Sequence, residues 1–237
     1  MKKVDYFFYT QNQLKVKLYK GLKDYGYHPV VTEDYIYAEG KIPIALMAHM
    51  DTVFPEETRQ NLSIFKVLDT SIIGALEGLG ADDRAGVIMI MEILAKTDLR
   101  PHVIFTCNEE TTLDGAYELA YRGNPFKDLG YIIQLDRHGV NDCVFYGDTN
   151  LAFHEYVESF GFVTALGTYT DIDIICPHWK ISGVNLSVGY RDEHTINETL
   201  NIDFWASTYN KVIKMLTEYK GEHWKYMGGN RYAWFYS

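Results

Sequence analysis

Apolar residues recur at two different spacings along the chain, and segments of the two kinds alternate. Helical spacing, as in Leu14, Leu18 and Leu22, predicts helices over residues 11–25, 83–96, 113–122, 150–160 and 201–219. Short runs rich in β-branched and aromatic residues predict strands over 36–38, 42–48, 63–68, 71–75, 103–107, 131–135, 143–146, 172–175 and 183–188. The runs at 63–68 and 71–75 flank a turn and predict a hairpin.

The alternation of strands with helices favours one fold class. Continuous apolar strands that alternate with helices are typical of a parallel or mixed sheet covered on both faces. We therefore expect a three-layer α/β/α fold with a central mixed, mostly parallel sheet. No linker or repeat divides the chain, so residues 1–237 are expected to form a single compact domain.

Composition and charge exclude several classes of protein. The 237 residues are 47 % hydrophobic and carry a net charge of −10, which indicates a folded chain whose main partner is not nucleic acid or an anionic membrane. No apolar run approaches the ~20 residues of a membrane helix. The three widely spaced cysteines and the absence of a signal peptide favour a reducing, cytoplasmic location.

Polar residues stand where several predicted strands end, which is where ligands bind in open α/β sheets. His49 and Asp51 follow 42–48, Glu109 and Glu110 follow 103–107, and Asp136 follows 131–135. Asp51 lies two residues after His49, so in extended chain it shares a face with the imidazole and can hold one ring nitrogen. Taken singly, each residue has an ordinary explanation as a solvated loop residue or a member of a salt bridge.

Two further segments add acidic and imidazole groups. Asp82 and Asp83 lie where the chain passes from the hairpin into the 83–96 helix, and one aspartate would be enough to cap that helix. His194 lies in a polar loop before the last helix. Two histidines and several carboxylates near the same sheet edge are the donors of a two-metal site. Nitrogen and oxygen donors without cysteine suit catalytic zinc, with cobalt or manganese as alternatives.

The order of these motifs resembles a known superfamily. His49-Met50-Asp51-Thr52-Val53, Gly80-Ala81-Asp82-Asp83-Arg84-Ala85-Gly86, Glu109-Glu110, Asp136 and His194 follow one another as in the co-catalytic di-zinc exopeptidases. That superfamily includes peptidase T-like tripeptidases, the carboxypeptidase G type and compact bacterial zinc aminopeptidases. The matched segments run from about residue 42 to 200, and Asn185–Tyr190 looks most like the compact aminopeptidases.

The resemblance implies a role for each matched residue. It implies two Zn²⁺ ions per chain and a peptide bond attacked by a water that the two metals share. It also implies a cis peptide bond between Asp82 and Asp83. The implied roles are a bridging ligand (Asp82), ligands of one metal (His49, Asp136) and of the other (Glu110, His194), an orienting carboxylate for His49 (Asp51), a general base and acid (Glu109) and an oxyanion-stabilising hydroxyl (Tyr190).

The chain departs from the larger relatives in one respect. Those enzymes insert a lid or dimerisation domain between the positions of Asp136 and His194, and residues 137–193 are too few to hold one. We expect an aminopeptidase that acts on small peptides, as a monomer or small homo-oligomer. An N-acyl amino acid deacylase using the same two metals, or a metal-binding domain without activity, remain alternatives. The aromatic segment 223–237 is expected to pack on the core, with contact to a partner or a second subunit as the alternative.

Overall fold

A computed structural model describes residues 4–228 of the chain. The described part opens with a 3₁₀ turn, Val4–Phe8. Seven helices follow within it: α1 (Gln11–Asp24), α2 (Glu56–Arg59), α3 (Ala81–Lys96), α4 (Asp114–Arg122), α5 (Leu151–Glu158), α6 (Asp171–Trp179) and α7 (Ile202–Glu218).

The strands form two sheets. They are β1 (Val30–Val31), β2 (Tyr35–Ala38), β3 (Ile42–His49), β4 (Ile64–Lys66), β5 (Ile72–Ala75), β6 (Pro101–Thr106), β7 (Tyr131–Arg137), β8 (Asp142–Val144), β9 (Val163–Thr164), β10 (Gly183–Ser187), β11 (Tyr190–Arg191) and β12 (Thr199–Asn201). The large sheet has the order β1-β2-β6-β3-β7-β10-β8-β9, and its four central strands run parallel. A small antiparallel sheet has the order β11-β12-β5-β4.

Alternate residues of the central strands face opposite layers, as the pleat of a strand requires. On β3, Leu46 and Ala48 join the hydrophobic core beneath α1, α3, α5 and α7. Ala45 and Met47 join the second core, which packs against α4 and α6. The fold is therefore the expected three-layer α/β/α arrangement with a central mixed, mostly parallel sheet in one compact domain.

The sequence-based elements agree with the structure at most positions, including the β4–β5 hairpin. The expectation of a strand over 172–175 is wrong, because this segment lies inside α6. Asp171 and Asp173 occupy the first turn of that helix, where carboxylates interact favourably with the helix dipole. The apolar side chains of α6 then pack on α4 and the sheet, so burial rather than β propensity decides the local conformation.

The described part of the aromatic segment returns to the core. The backbone N–H of Trp224 donates to the Gly130 carbonyl, and the backbone carbonyl of Trp224 accepts from the Ser182 N–H. The Trp224 ring packs against the first core. Residues 229–237 of that segment lie outside the described residues. Over residues 4–228, no helix has both the length and the apolar character that a membrane crossing demands.

Candidate metal centre

The polar residues predicted from the strand ends meet at one edge of the large sheet. His49 is the last residue of β3, Asp136 lies near the end of β7, and Glu109 and Glu110 follow β6. These strands are parallel neighbours, so their carboxyl ends open on the same side. His194 comes from the turn between β11 and β12 in the small sheet. Its φ of 63° lies in the left-handed region, which is uncommon for a residue other than glycine.

Two groups of side-chain atoms that could each hold a metal ion form at this edge and share one aspartate; we call them the ligand groups. In the first group, Nε2 of His49 lies 3.0 Å from Oδ1 of Asp82 and 3.5 Å from Oδ1 of Asp136. All three residues of this group are buried.

The second group uses the other oxygen of Asp82. Nε2 of His194 lies 3.3 Å from Oδ2 of Asp82 and 3.0 Å from Oε2 of Glu110. Half of the His194 side chain is exposed, so this group opens to solvent while the first group does not. The two oxygens of Asp82 thus face two different ligand groups, which is the geometry of a bridging carboxylate.

The backbone around Asp82 is fixed by a distant carboxylate. Glu198 accepts hydrogen bonds from the backbone N–H groups of Gly80, Ala81 and Asp82, so one buried side chain caps the start of α3. Gly80 has a φ of 68°, a conformation that glycine adopts without strain. The Asp82–Asp83 peptide bond is cis, as the resemblance implied.

The second aspartate of the pair joins β3 to α3 instead of facing the ligand groups. The buried carboxylate of Asp83 accepts from the backbone N–H of His49 at 3.2 Å and from that of Gly86 at 3.0 Å. A Cβ on Gly86 would lie 2.1 Å from the Leu135 carbonyl oxygen, so glycine permits α3 to approach β7 here. Asp83 therefore fixes the distance between the strand that carries His49 and the helix that carries Asp82.

Asp51 contacts both His49 and the loop that bears the glutamates. Its Oδ1 lies 3.3 Å from Nδ1 of His49, on the side of the ring away from the ligand group. The same carboxylate accepts from the backbone N–H of Glu109 at 3.1 Å and of Glu110 at 3.0 Å. Such a partner fixes the imidazole orientation and makes the ring a better ligand.

Glu109 and Tyr190 line the cavity at this edge, whose volume is about 130 Å³. Oε2 of Glu109 lies 4.0 Å from Nε2 of His49, close to the first ligand group but without belonging to either. The buried Tyr190 hydroxyl donates to Oδ1 of Asp136 at 3.3 Å. The structure therefore places this hydroxyl against a candidate ligand as well as at the cavity wall.

Three further residues hold Asp136, and of these the sequence analysis named only Asn185. Gln134 Nε2 and the Thr170 hydroxyl donate to Oδ2 of Asp136 at 2.7 and 2.9 Å. The Asn185 amide accepts from the Asp136 backbone N–H and donates to its carbonyl. Gln134 shares the strand with Asp136, so its position two residues earlier was a usable signal. The sequence held no such signal for Thr170, because it precedes a segment that was expected to be a strand and does not follow one.

Another overlooked carboxylate, Asp171, is fully buried nearby and accepts from the Thr106 hydroxyl at 2.5 Å. Burial raises the pKa of Asp171 to about 7, and repulsion from Asp136 adds to the effect. Acidic groups are therefore more numerous at this edge than the sequence motifs alone indicated.

The crowding of carboxylates changes how these groups bind protons. Burial raises the pKa of Glu109 to about 10 and that of Glu110 to about 8, with nearby aspartates adding to both effects. Burial also raises the pKa of Asp136 to about 6. Hydrogen bonding to Asp82 raises the pKa of His194 to about 9 despite partial burial. Without a cation, protons must compensate the negative charge of the cluster.

The donor set fits divalent metal ions. Each group offers one imidazole nitrogen and two carboxylates, and Oε1 of Glu110 is buried without a hydrogen-bond partner. Buried carboxylate oxygens need cations or hydrogen bonds, which two divalent ions would supply. The three cysteines are buried elsewhere and free, so sulfur plays no part in this donor set.

Comparison with known proteins gives one family match. The model of the Peptidase family M20/M25/M40 matches residues 45–154. This span includes His49, Asp82, the two glutamates and Asp136, but it ends before His194. Among curated proteins, none matches the chain.

Solved structures share the fold at low sequence identity. Aminopeptidase PepT from Bacillus cereus is 17 % identical with a TM-score of 0.67, and the match covers 88 % of this chain and 93 % of that chain. A tripeptidase from Staphylococcus aureus is 16 % identical with a TM-score of 0.69 and the same coverage. The Pyrococcus horikoshii TET1 peptidase is 17 % identical with a TM-score of 0.63, covering 88 % of this chain and 94 % of that chain.

Proposed function

We propose that the chain is a metallopeptidase of the zinc exopeptidase superfamily and acts as a di-zinc aminopeptidase of short peptides. The match of residues 45–154 to the Peptidase family M20/M25/M40 and the fold shared with solved aminopeptidases support this proposal. The observation that carries this proposal is the position of Asp82. One carboxylate that faces two separate sets of ligands suits a pair of metal ions and is not needed to cap α3, since Glu198 already does so.

Each metal would be held by three residues of this chain. His49, Asp82 and Asp136 would hold one ion, and Asp82, Glu110 and His194 the other. When bound, such ions polarise a substrate carbonyl and bring the pKa of a water toward neutrality. Cobalt or manganese would suit the same donors.

Glu109 is the residue placed to move protons. Its backbone is fixed by Asp51, and its carboxylate lines the cavity beside the first ligand group. In the proposed reaction, Glu109 accepts the proton of the attacking water and then donates it to the leaving amine. A binding protein would not need this group, which counts against the alternative of a metal-binding domain without activity.

Tyr190 and Asp51 have supporting roles. Burial raises the pKa of Tyr190 well above its usual value, so its hydroxyl keeps the proton and remains a donor. It can donate to Asp136, as in the structure, or to the oxyanion that forms at the scissile carbonyl. Asp51 fixes the His49 ring and the start of the glutamate loop.

The proposal of an aminopeptidase activity rests on the residues that line the cavity and on the solved structures that share the fold. Glu193 lines the cavity without belonging to either ligand group, and its carboxylate favours the ammonium group of a free N-terminus. The structural neighbours from Bacillus cereus and Staphylococcus aureus are described as an aminopeptidase and a tripeptidase.

We also propose that the whole chain, residues 1–237, is the catalytic domain, with no lid and a cytoplasmic location.

A substrate panel tests the proposal. The zinc-loaded protein is offered di- and tripeptides with free amines, the same peptides with acetylated amines, and N-acyl amino acids, with and without a chelator. We expect chelator-sensitive cleavage of the free-amine peptides. Preferential cleavage of the N-acyl compounds would make the chain a deacylase, and no cleavage despite bound zinc would leave only metal binding.

A further inference from the structure

Two buried arginines line one cavity that contains no member of the two ligand groups. Arg59, at the end of α2, and Arg84, in the first turns of α3, are each only 1 % exposed. Within residues 4–228, no carboxylate oxygen lies within 4.0 Å of either guanidinium, since none of the ion pairs there includes them. Burying a charged group without an opposite charge is costly, so this pair needs an explanation.

The hydrogen bonds of the two side chains leave donors unused. Arg59 donates to the carbonyls of Gly78 and Leu79, but its Nε is buried without a partner. The Nε of Arg84 also lacks a partner, and its Nη1 makes one long bond of 3.4 Å to the Tyr6 carbonyl. Arg84 therefore presents a nearly unsatisfied guanidinium inside the protein.

Both arginines line the same cavity, which has a volume of about 240 Å³. Its wall also contains the polar side chains of Gln11, Asn108 and Thr111, and the carboxylates of Asp51 and Glu56. A cavity that holds unused guanidinium donors and several polar side chains is suited to an anion.

We propose that this cavity binds one small monovalent anion, a halide ion or a short carboxylate, between Arg59 and Arg84. Asp51 and Glu56 also line the cavity, but neither forms an ion pair with either arginine, so the Arg84 guanidinium lacks a direct counter-charge. A single negative charge placed against Arg84 would supply one, whereas a multiply charged oxyanion would meet stronger repulsion from the two carboxylates.

The site would lie directly behind the catalytic residues. Asp51 lines this cavity and also lies against His49, and Asn108 immediately precedes Glu109. The anion would therefore stabilise the wall that supports these groups without touching the substrate.

Thermal unfolding in bromide and in acetate tests the proposal, with the full chain at constant ionic strength maintained by the bulky buffer anion MES. We expect each small anion at about ten times its Kd to raise Tm by about 3 °C. Arg84→Gln should abolish this shift. Arg122→Gln, which changes an exposed arginine on α4, should retain it.

A crystal grown in bromide provides a second measurement that does not depend on the folding of a variant. We expect an anomalous peak within hydrogen-bond distance of Arg84 Nε. The absence of both a Tm shift and a bromide peak, or an undiminished shift in a folded Arg84→Gln protein, would overturn the proposal.

Discussion

The carboxylate of Asp51 accepts a hydrogen bond from the backbone N–H of Glu109 at 3.1 Å. The same carboxylate lies 3.3 Å from the distal ring nitrogen of His49. The residue that orients a candidate metal ligand therefore also fixes the loop that carries the proposed general base. A change at Asp51 should affect metal binding and turnover together.

We predict that Asp51→Asn weakens zinc binding and lowers kcat, each about 10- to 100-fold, which is typical when the partner of a ligating histidine is changed. Zinc titration and peptidase kinetics measure the two effects. Asp69→Asn, an exposed change in the β4–β5 turn, is the matched control and should alter neither quantity. Unchanged affinity and kcat in Asp51→Asn would show that the contact with His49 has no role.

The Glu109→Gln variant should still bind zinc but should lose most of its peptidase activity. Glu109 belongs to neither ligand group, so the variant should bind as much zinc as the natural chain. An amide cannot accept the proton of water, so kcat should fall about 10²- to 10⁴-fold with little change in KM. Elemental analysis and steady-state kinetics on the same preparation provide both numbers, and full turnover at normal zinc content would refute the assigned role.

Glu198→Gln should lower the free energy of unfolding, because Glu198 caps the N-terminal end of α3. The carboxylate of Glu198 accepts from three consecutive backbone N–H groups, and a neutral amide offers a single acceptor oxygen. Burial raises the pKa of Glu198 to about 7, so above pH 7, where the carboxylate is charged, the loss of these hydrogen bonds should cost about 1.5–3 kcal/mol. Denaturant unfolding measures the difference against Glu218→Gln, which changes an exposed residue at the end of α7. Equal stability of the two variants would contradict this prediction.

The sequence predicted the candidate site best where polar residues come directly after a predicted strand. His49, Asp136 and the two glutamates could be placed at one sheet edge because buried apolar runs lead straight into them. A long, strongly periodic segment likewise predicted α3 to within two residues. These inferences need only local pattern and the rule that parallel strands end together.

The remaining features depend on contacts between distant residues. Thr170 lies 34 residues after Asp136 in the sequence, and Glu198 lies 117 residues after Ala81. No local sequence pattern marks either residue as part of the candidate site. The error at 172–175 has the same origin, since a short β-branched run is ambiguous between a strand and a buried helix. The unpaired Arg84 also becomes visible only once the burial of its surroundings is known.

The metal-free protein should lose stability as the pH rises. The pKa of Glu109 is 4.5 in the unfolded chain and about 10 in the folded protein. The pKa of His194 is 6.5 in the unfolded chain and about 9 in the folded protein. Both groups bind more protons in the folded state between these values, so the free energy of unfolding falls as pH increases through this window. The lowered pKa values of Asp51 and Asp82 act only below about pH 4.

Zinc should reverse this trend, because it replaces the protons that the cluster otherwise needs. Thermal unfolding of chelator-treated protein between about pH 5.5 and 8.5 should show a falling Tm, and the rise in Tm on adding zinc should grow with pH. A metal-free Tm that increases over this range would contradict the charge distribution described above.

The bridging position of Asp82 is tested most directly by metal content. Elemental analysis of the natural chain, Asp82→Ala and His194→Ala, each loaded with zinc and freed of excess, counts the ions per chain. The account predicts two ions in the natural chain, one in His194→Ala because the His49–Asp136 group stays intact, and a loss of both in Asp82→Ala. A single ion in the natural chain, or an Asp82→Ala protein that keeps two, would contradict the central claim.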